Sequence, residues 1–375
     1  MTYLNINEIS ELSRKIRQNP ASAELLAERG LAYLRASLYV EALADFNSSI
    51  DLDPTNPYNF IDRGRVLLEL NRELEARLDF DKALGLDPSN DEAYHSRAIG
   101  AFQKQRLQDA ANDMEQAIRI NGHNAGYFQF LARIYAALGR PSDSLVAISS
   151  AISLNPTNHQ LYSFRVYLFV YHLVCDDKVS IMDDAARAIY LAGENSEVYF
   201  GRGLIHFAER RWEEAAKDFS SDYANKHITW DHLRSVVFLL LSRIRSGDCD
   251  RRVPEAELVL GSVAKPLDQL GVDSWPLQAI AILSSKISPG RILELLLADF
   301  GKDEQAVGWI LFEYHFIMLM RKTKYDNSTK SIINNLNKYK KYCYIQIYFL
   351  IIKNVLADLT DKGDGTEKVD GDEWH

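Results

Sequence analysis

The sequence predicts an all-α protein, a solenoid of antiparallel helix pairs stacked along the chain, and three observations predict it. Turn-like segments recur as DPTN (53–56), DPSN (87–90), NGHN (121–124), NPTN (155–158) and AGEN (192–195), with closing asparagines spaced by 34, 34, 34 and 37 residues. A small residue recurs within each unit (Gly30, Gly64, Ala98, Ala132, Gly203), and a second follows twelve places later (Ala42, Ala76, Ala110, Ser144, Ala215). Four places further comes a large apolar residue: Phe46, Phe80, Met114, Ile148 or Phe219. Small residues let two helix backbones approach, and the large side chain fills the space beside them.

Each unit then follows in order. The proline or glycine at 54, 88, 122 and 156 ends a second helix before an asparagine caps the next first helix. Residues 6–18 stand before Pro20, which lies 34 places before Pro54, and read as a lone second helix covering the apolar end of the stack.

These offsets resemble the tetratricopeptide repeat (TPR), a 34-residue helix–turn–helix unit. Leu26, Gly30, Tyr33, Ala42, Phe46, Ser49 and Pro54 fill its signature places in the first repeat. Phe60, Gly64, Leu67, Ala76, Phe80, Ala83 and Pro88 fill them in the second. The resemblance covers six repeats over 23–226 and implies a TPR superhelical solenoid, with residues 1–22 as its N-terminal capping helix. Repeat five departs from it: three residues are added, Val166 replaces the glycine and Ile181 the alanine. A distorted hairpin with a longer turn around CDDKVS (175–180) is expected there.

Charge recurs inside this apolar pattern. Arg29, Arg63, Arg97, Arg165 and Arg202 occupy one repeat position, and Asp45, Asp79, Asp113, Asp184 and Asp218 another. Repeat four lacks both and carries Leu131 and Ala147. Residues sixteen apart can face each other across a short turn between antiparallel helices. The joint loss therefore points to a salt bridge between the two helices of each repeat, shielded by the neighbouring repeat. The alternative reading is an arginine ladder for an acidic ligand.

Beyond 226 the repeat fades while helical periodicity persists, so 227–360 is expected to be a C-terminal TPR-like helical extension. TWDHLRSVVFLLLSRIRSGD (229–248) is its strongest helix. Trp275, Pro276, Ile287, Ser288 and the stretch Phe312 to Asp326 are similar in arrangement to NlpI-like bacterial TPR proteins, which implies a bacterial source. The glycines of that family are missing here, as are its lipoprotein signal and lipid-bearing cysteine. The tail 361–375 is acidic and glycine-containing and is expected to be disordered.

Composition narrows the chemistry. A formal net charge of −9 over 375 residues argues against a general nucleic-acid binder. The basic aromatic stretch 321–348 reads as a helix with a solvated basic face, its alternative being a nucleic-acid contact. Cys175, Cys249 and Cys343 offer neither a disulfide framework nor a CxxC metal site and suit a reducing compartment. The N-terminus is polar, and the longest apolar runs are too short to span a bilayer. A cytoplasmic protein is expected, with no membrane partner. There is no phosphate-binding GxxxxGK[ST], no HExxH and no GxSxG. His227 and His232, five apart, do not share a helical face. No catalytic residue, cofactor or metal is expected.

Binding remains. On each first helix, places 4, 8 and 11 pack inward, and places 2, 5, 9, 12 and 13 fall on the opposite side at 100° per residue. The TPR resemblance implies that this side lines a concave groove for partner segments. It carries Tyr58, Arg65, His95, Phe102, Gln129, Arg133, Tyr167, Tyr171 and Phe200. Tyrosine and arginine serve well as anchors because each buries much area and keeps a polar handle. The expected partner is another protein, contributing an apolar segment with some acidic groups. The expected function is a non-enzymatic adaptor or scaffold. The alternative is an immunity protein that neutralises a cognate toxin by covering its active surface. Oligomeric state stays open.

Overall fold

The computed structural model describes residues 3–172, 178–193, 198–224, 230–246 and 327–339, and single positions 279, 316, 317, 320, 348, 351 and 352. These residues form helices and no strands. The order is α1 (Tyr3–Gln18), α2 (Ala23–Arg35), α3 (Tyr39–Leu52), α4 (Pro57–Glu69), α5 (Glu73–Leu86), α6 (Asp91–Gln103), α7 (Leu107–Ile120), α8 (Ala125–Ala137) and α9 (Pro141–Leu154). It continues with α10 (His159–His172), α11 (Lys178–Ala192), α12 (Tyr199–Ala208), α13 (Trp212–Ala224), α14 (Trp230–Ser246) and α15 (Asn327–Tyr339). They fall into two compact units, Met1–Pro156 and Thr157–His375.

In the first unit the helices pair as α2 with α3, α4 with α5, α6 with α7 and α8 with α9, and α1 packs on α2. Ser22, Asn56, Asn90 and Asn124 start the first helices by accepting hydrogen bonds from the N–H groups of Leu25, Tyr58, Ala93 and Gly126. The turn inside each pair is made the same way each time. Ser37, Asn71, Gln105 and Gly139 take positive φ of 59°, 58°, 58° and 70°. The next residue's N–H then returns to the first helix, as in Leu38 N to Tyr33 O at 2.9 Å. This is the left-handed ending that satisfies a helix's last carbonyls.

Packing within a pair is a matter of complementary volume. A Cβ added at Gly30 would lie 2.9 Å from the Phe46 ring, and one at Gly64 only 2.5 Å from the Phe80 ring. A flat ring pressed against the backbone thus requires glycine. Where alanine stands instead, at Ala98 and Ala132, the fully buried large residue is Met114 or Ile148. Ser144, in place of the second small residue, donates its hydroxyl to Ala132 O at 2.6 Å and so remains satisfied while buried.

In the second unit α10 pairs with α11, α12 with α13, and α14 packs on α13. A Cβ at Gly203 would meet the Phe219 ring at 2.7 Å, repeating the first unit's contact. Repeat five inverts the sizes, with buried Val166 on the first helix and buried Ala185 on the second. Helices α10 and α11 are regular, and the extra turn residues lie outside the described ones. Phe238 of α14 gathers an aromatic core, its ring centroid 5.3 Å from Phe219, 5.4 Å from Phe207, 5.6 Å from Tyr348 and 6.0 Å from Phe316. Trp275, Pro276, Ile287, Ser288 and the tail 361–375 lie outside the described residues. Among the described residues no helix is long and apolar enough to cross a membrane.

Candidate functional site

In the first unit α2 adjoins α4 and α4 adjoins α6, so the first helices form one face. Tyr58 lies on it with its side chain exposed. Arg65, on α4, is held by its own chain. Its Nη2 donates to Glu92 Oε1 at 2.6 Å, its Nε to Ser96 Oγ at 3.0 Å and its Nη1 to Asp62 Oδ1 at 3.2 Å. Burial pushes the Asp62 carboxyl up to about 6, with Arg65 pulling the other way.

Beside this cluster is a set of rings. His95 stands 4.9 Å from Tyr127 and 5.8 Å from Phe130, and Phe102 lies 5.5 Å from Phe130. Burial lowers the His95 pKa and Arg65 adds to the effect, while Glu92 and Asp91 oppose it. The Tyr127 hydroxyl donates to Asp91 Oδ2 at 3.0 Å, and Asn121 Nδ2 donates to the same oxygen at 2.9 Å. Gln129 is half-buried and Arg133 is exposed on α8. Asp62 and Phe130 were not among the residues read from the sequence. Both stand at place 6, one residue outside the face drawn at 100° per residue.

In the second unit, Tyr167 is exposed and stacks on Tyr171 at 4.3 Å and on Phe164 at 5.6 Å along α10. Phe200 is half-buried, 5.8 Å from Phe219 and 6.0 Å from Phe238. It belongs to the packing of α12, α13 and α14.

The repeated arginines point the other way, toward the second helices. Arg29 Nε and Nη2 each lie 2.7 Å from the Asp45 carboxylate. Arg63 meets Asp79 at 2.8 and 2.7 Å, and Arg97 meets Asp113 at 2.9 and 2.6 Å. Arg165 meets Asp184 at 2.5 Å through both nitrogens, and Arg202 meets Asp218 at 2.8 and 2.6 Å. All five aspartates are buried. These two-pronged bonds raise the pKa of Arg29, Arg63, Arg97 and Arg202. The remaining nitrogen turns to the preceding second helix: Arg29 Nη1 donates to Ser13 at 3.1 Å, Arg63 Nη1 to Asn47 at 2.9 Å and Arg97 Nη1 to Asp81 at 2.6 Å. Near Arg97, Ala101 stands where other repeats carry Tyr33, Leu67 and Tyr135, and a polar cavity of about 350 Å³ opens beside it. Its guanidinium groups at Arg97 and Arg106 are already paired with carboxylates of the chain. Among the described residues no group of three or more His, Cys, Asp or Glu could hold a metal ion.

Comparison with known proteins bears on the scaffold. Residues 10–57 match the family model described as "Tetratricopeptide repeat". No curated protein matches the sequence. Among solved structures, the C-terminal part of a TPR repeat-containing protein from Cytophaga hutchinsonii superposes with a TM-score of 0.50 at 14% identity, covering 62% of this chain and 94% of its own. MamA from Desulfovibrio magneticus gives 0.40 at 19% identity, covering 45% of this chain and 94% of its own. YrrB, described as a TPR protein with an unusual peptide-binding site, gives 0.39 at 15%, covering 48% and 91%. Residues 10–57 thus carry a tetratricopeptide repeat, and the described helix pairs have the fold of a tetratricopeptide-repeat solenoid.

Proposed function

We propose that this chain is a non-enzymatic protein-binding scaffold, whose face of first helices takes a segment of a partner protein. Tetratricopeptide-repeat proteins mediate protein–protein interactions. One observation carries the reading to this face. The residues that pack the pairs recur from repeat to repeat, whereas the first-helix face changes from Tyr58 and Arg65 to His95 and Phe102 to Gln129 and Arg133. The face also holds the half-buried rings of His95, Phe102 and Phe130 beside the exposed Tyr58.

Affinity capture from a lysate of the source organism tests it, comparing wild type with Tyr58→Ala/Arg133→Ala. Both side chains are exposed, so the variant should keep its melting temperature. The reading expects a partner held by the wild type and lost by the variant. A partner retained undiminished by the folded variant would overturn it.

A further inference from the structure

In repeat three, Ala101 holds the first-helix place that Tyr33, Leu67 and Tyr135 fill in other repeats, and the cavity of about 350 Å³ lies there between α5, α6 and α7. Repeat four shows how that place is filled. The Tyr135 hydroxyl donates to Glu115 Oε1 at 2.9 Å, and the Arg140 guanidinium lies over its ring, 4.6 Å from the centroid. Both partners recur one repeat earlier on the cavity wall: Asp81 stands 34 places before Glu115, and Arg106 stands 34 places before Arg140. Arg97, also on the wall, is compatible with a ring, since Arg29 at its place in repeat one lies 5.6 Å from the Tyr33 centroid. The partners of a phenol are in place without the tyrosine.

We propose that this cavity, which is separate from the first-helix face, binds a small free phenol, with its ring beside Ala101 and the Arg106 guanidinium and its hydroxyl donating to Asp81. The volume is at the lower end of ligand-sized sites, about 300–1,000 Å³. Charge on the wall favours a neutral occupant. Arg77, Arg97 and Arg106 are matched there by Asp81, Asp109 and Asp113. Arg97 is held by Asp113 and Asp81, and Arg106 by Asp109 and by Glu73, so an anion would compete with carboxylates already in place. A cation would likewise compete with the arginines. A phenol displaces neither. Asp81 Oδ1 accepts from Arg97 at 2.6 Å, but its Oδ2 lies 3.9 Å from Arg77, too far for a hydrogen bond, and can accept the hydroxyl. A guanidinium beside the ring adds cation–π attraction.

The same geometry selects a free ring over a tyrosine in a chain. Ala101 keeps a Cβ where Tyr135 has its own, and in tyrosine that carbon is bonded opposite the hydroxyl. An unattached ring must stand about 3.5–4 Å from the Ala101 methyl instead of about 1.5 Å, with nothing attached at its para position. Asp81 is one methylene shorter than Glu115, which leaves room for the hydroxyl to move in that direction.

Titration of the full chain with phenol, followed by saturation-transfer NMR, tests the proposal. The comparison ligands are toluene, which lacks the hydroxyl, benzoate, which is an anion, and N-acetyltyrosinamide, whose ring is substituted at the para position. Phenol should bind about tenfold more tightly than toluene, as a hydrogen bond to a charged acceptor implies, and more tightly than the other two. Ala101→Tyr supplies the ring from within and should abolish binding. Asp81→Ala should bring phenol down to the level of toluene, whereas Arg133→Ala, on the first-helix face, should change nothing. Melting curves accompany each variant, and if Ala101→Tyr does not fold, Asp81→Ala, at an exposed side chain, still decides. Absence of phenol binding, or undiminished binding to folded Ala101→Tyr, would overturn the inference. So would phenol no tighter than toluene, phenol unaffected by Asp81→Ala, or tighter binding of benzoate, which would mark an anion site. Equal binding of N-acetyltyrosinamide would overturn it too, by marking a dock for a peptide tyrosine.

Discussion

The Tyr135 hydroxyl lies 2.9 Å from Glu115 Oε1, and this bond stands where an arginine would otherwise join two repeats. Glu115 occupies the same place in repeat three as Ser13, Asn47 and Asp81 do in the units before it, and each of those three accepts from an arginine. Repeat four has Leu131 instead of arginine, and Tyr135 reaches Glu115 from one turn further along α8. Burial, and then this hydrogen bond, push the Tyr135 pKa up to about 12. Tyr135→Phe should therefore cost about 1 kcal/mol, the net value of a partly buried hydrogen bond, measured by urea unfolding. No change at all would mean that the contact carries no stability.

The Arg63–Asp79 clip should behave as a nearly buried ion pair. Arg63→Leu or Asp79→Ala alone leaves one charge without its partner and should cost about 3–5 kcal/mol. Both together recreate the Leu131/Ala147 arrangement that repeat four already uses, with both of those side chains buried. The double variant should lose less than either single one. Additive losses in the double-mutant cycle would show that the two residues do not act as a pair.

Volume matching gives a third test. Gly64→Ala places a Cβ against the Phe80 ring at 2.5 Å and should cost about 1–3 kcal/mol through overpacking. Adding Phe80→Met imitates the Ala98/Met114 combination of repeat three and should restore much of that loss. Thermal unfolding of the two variants side by side decides it, and no rescue by Phe80→Met would contradict the account.

Much of this scaffold was legible because one offset recurs with one chemistry. Arginine and aspartate sixteen apart, present together and absent together, announce a contact without any coordinates. The bond between repeats stayed hidden because its acceptors are a serine, an asparagine, an aspartate and a glutamate, which share a place but no residue type. The left-handed turn position stayed hidden for a similar reason. Ser37, Asn71, Gln105, Gly139 and Arg210 share φ between 58° and 70°, but only one is glycine, because the end of the helix imposes the conformation on whatever residue stands there. The division at Pro156 falls just before repeat five, the repeat that the three added residues and Val166 already set apart in the sequence. On the first helices, exposure of Tyr58 and Tyr167 could be read from position alone. The capture of Arg65 by Asp62 and Glu92 could not, because Glu92 belongs to the next repeat, 27 residues away.

The Asp62 carboxyl makes stability depend on pH in a definite direction. Its pKa is raised by burial from an ordinary carboxylate value to about 6 in the folded chain. The folded state therefore binds this proton more tightly than the unfolded state. Above about pH 6 the buried charge destabilises the fold, and the penalty is relieved as pH falls from 6 toward 4. Asp62→Asn should raise stability by about 1–3 kcal/mol at pH 8 and by little at pH 4. Chemical unfolding at both pH values separates this from a general effect of charge, and equal gains at pH 8 and pH 4 would contradict it.

The face itself is tested most directly by photo-crosslinking from defined positions. A benzophenone side chain placed at Tyr58 or Phe102 reports from the first-helix face, and one at Leu74 or Leu78 reports from α5, where both leucines are exposed. Binding on the first-helix face predicts covalent adducts to a partner from positions 58 and 102 and none from 74 and 78. Adducts from 74 and 78 alone would place the partner on the second helices and contradict the account.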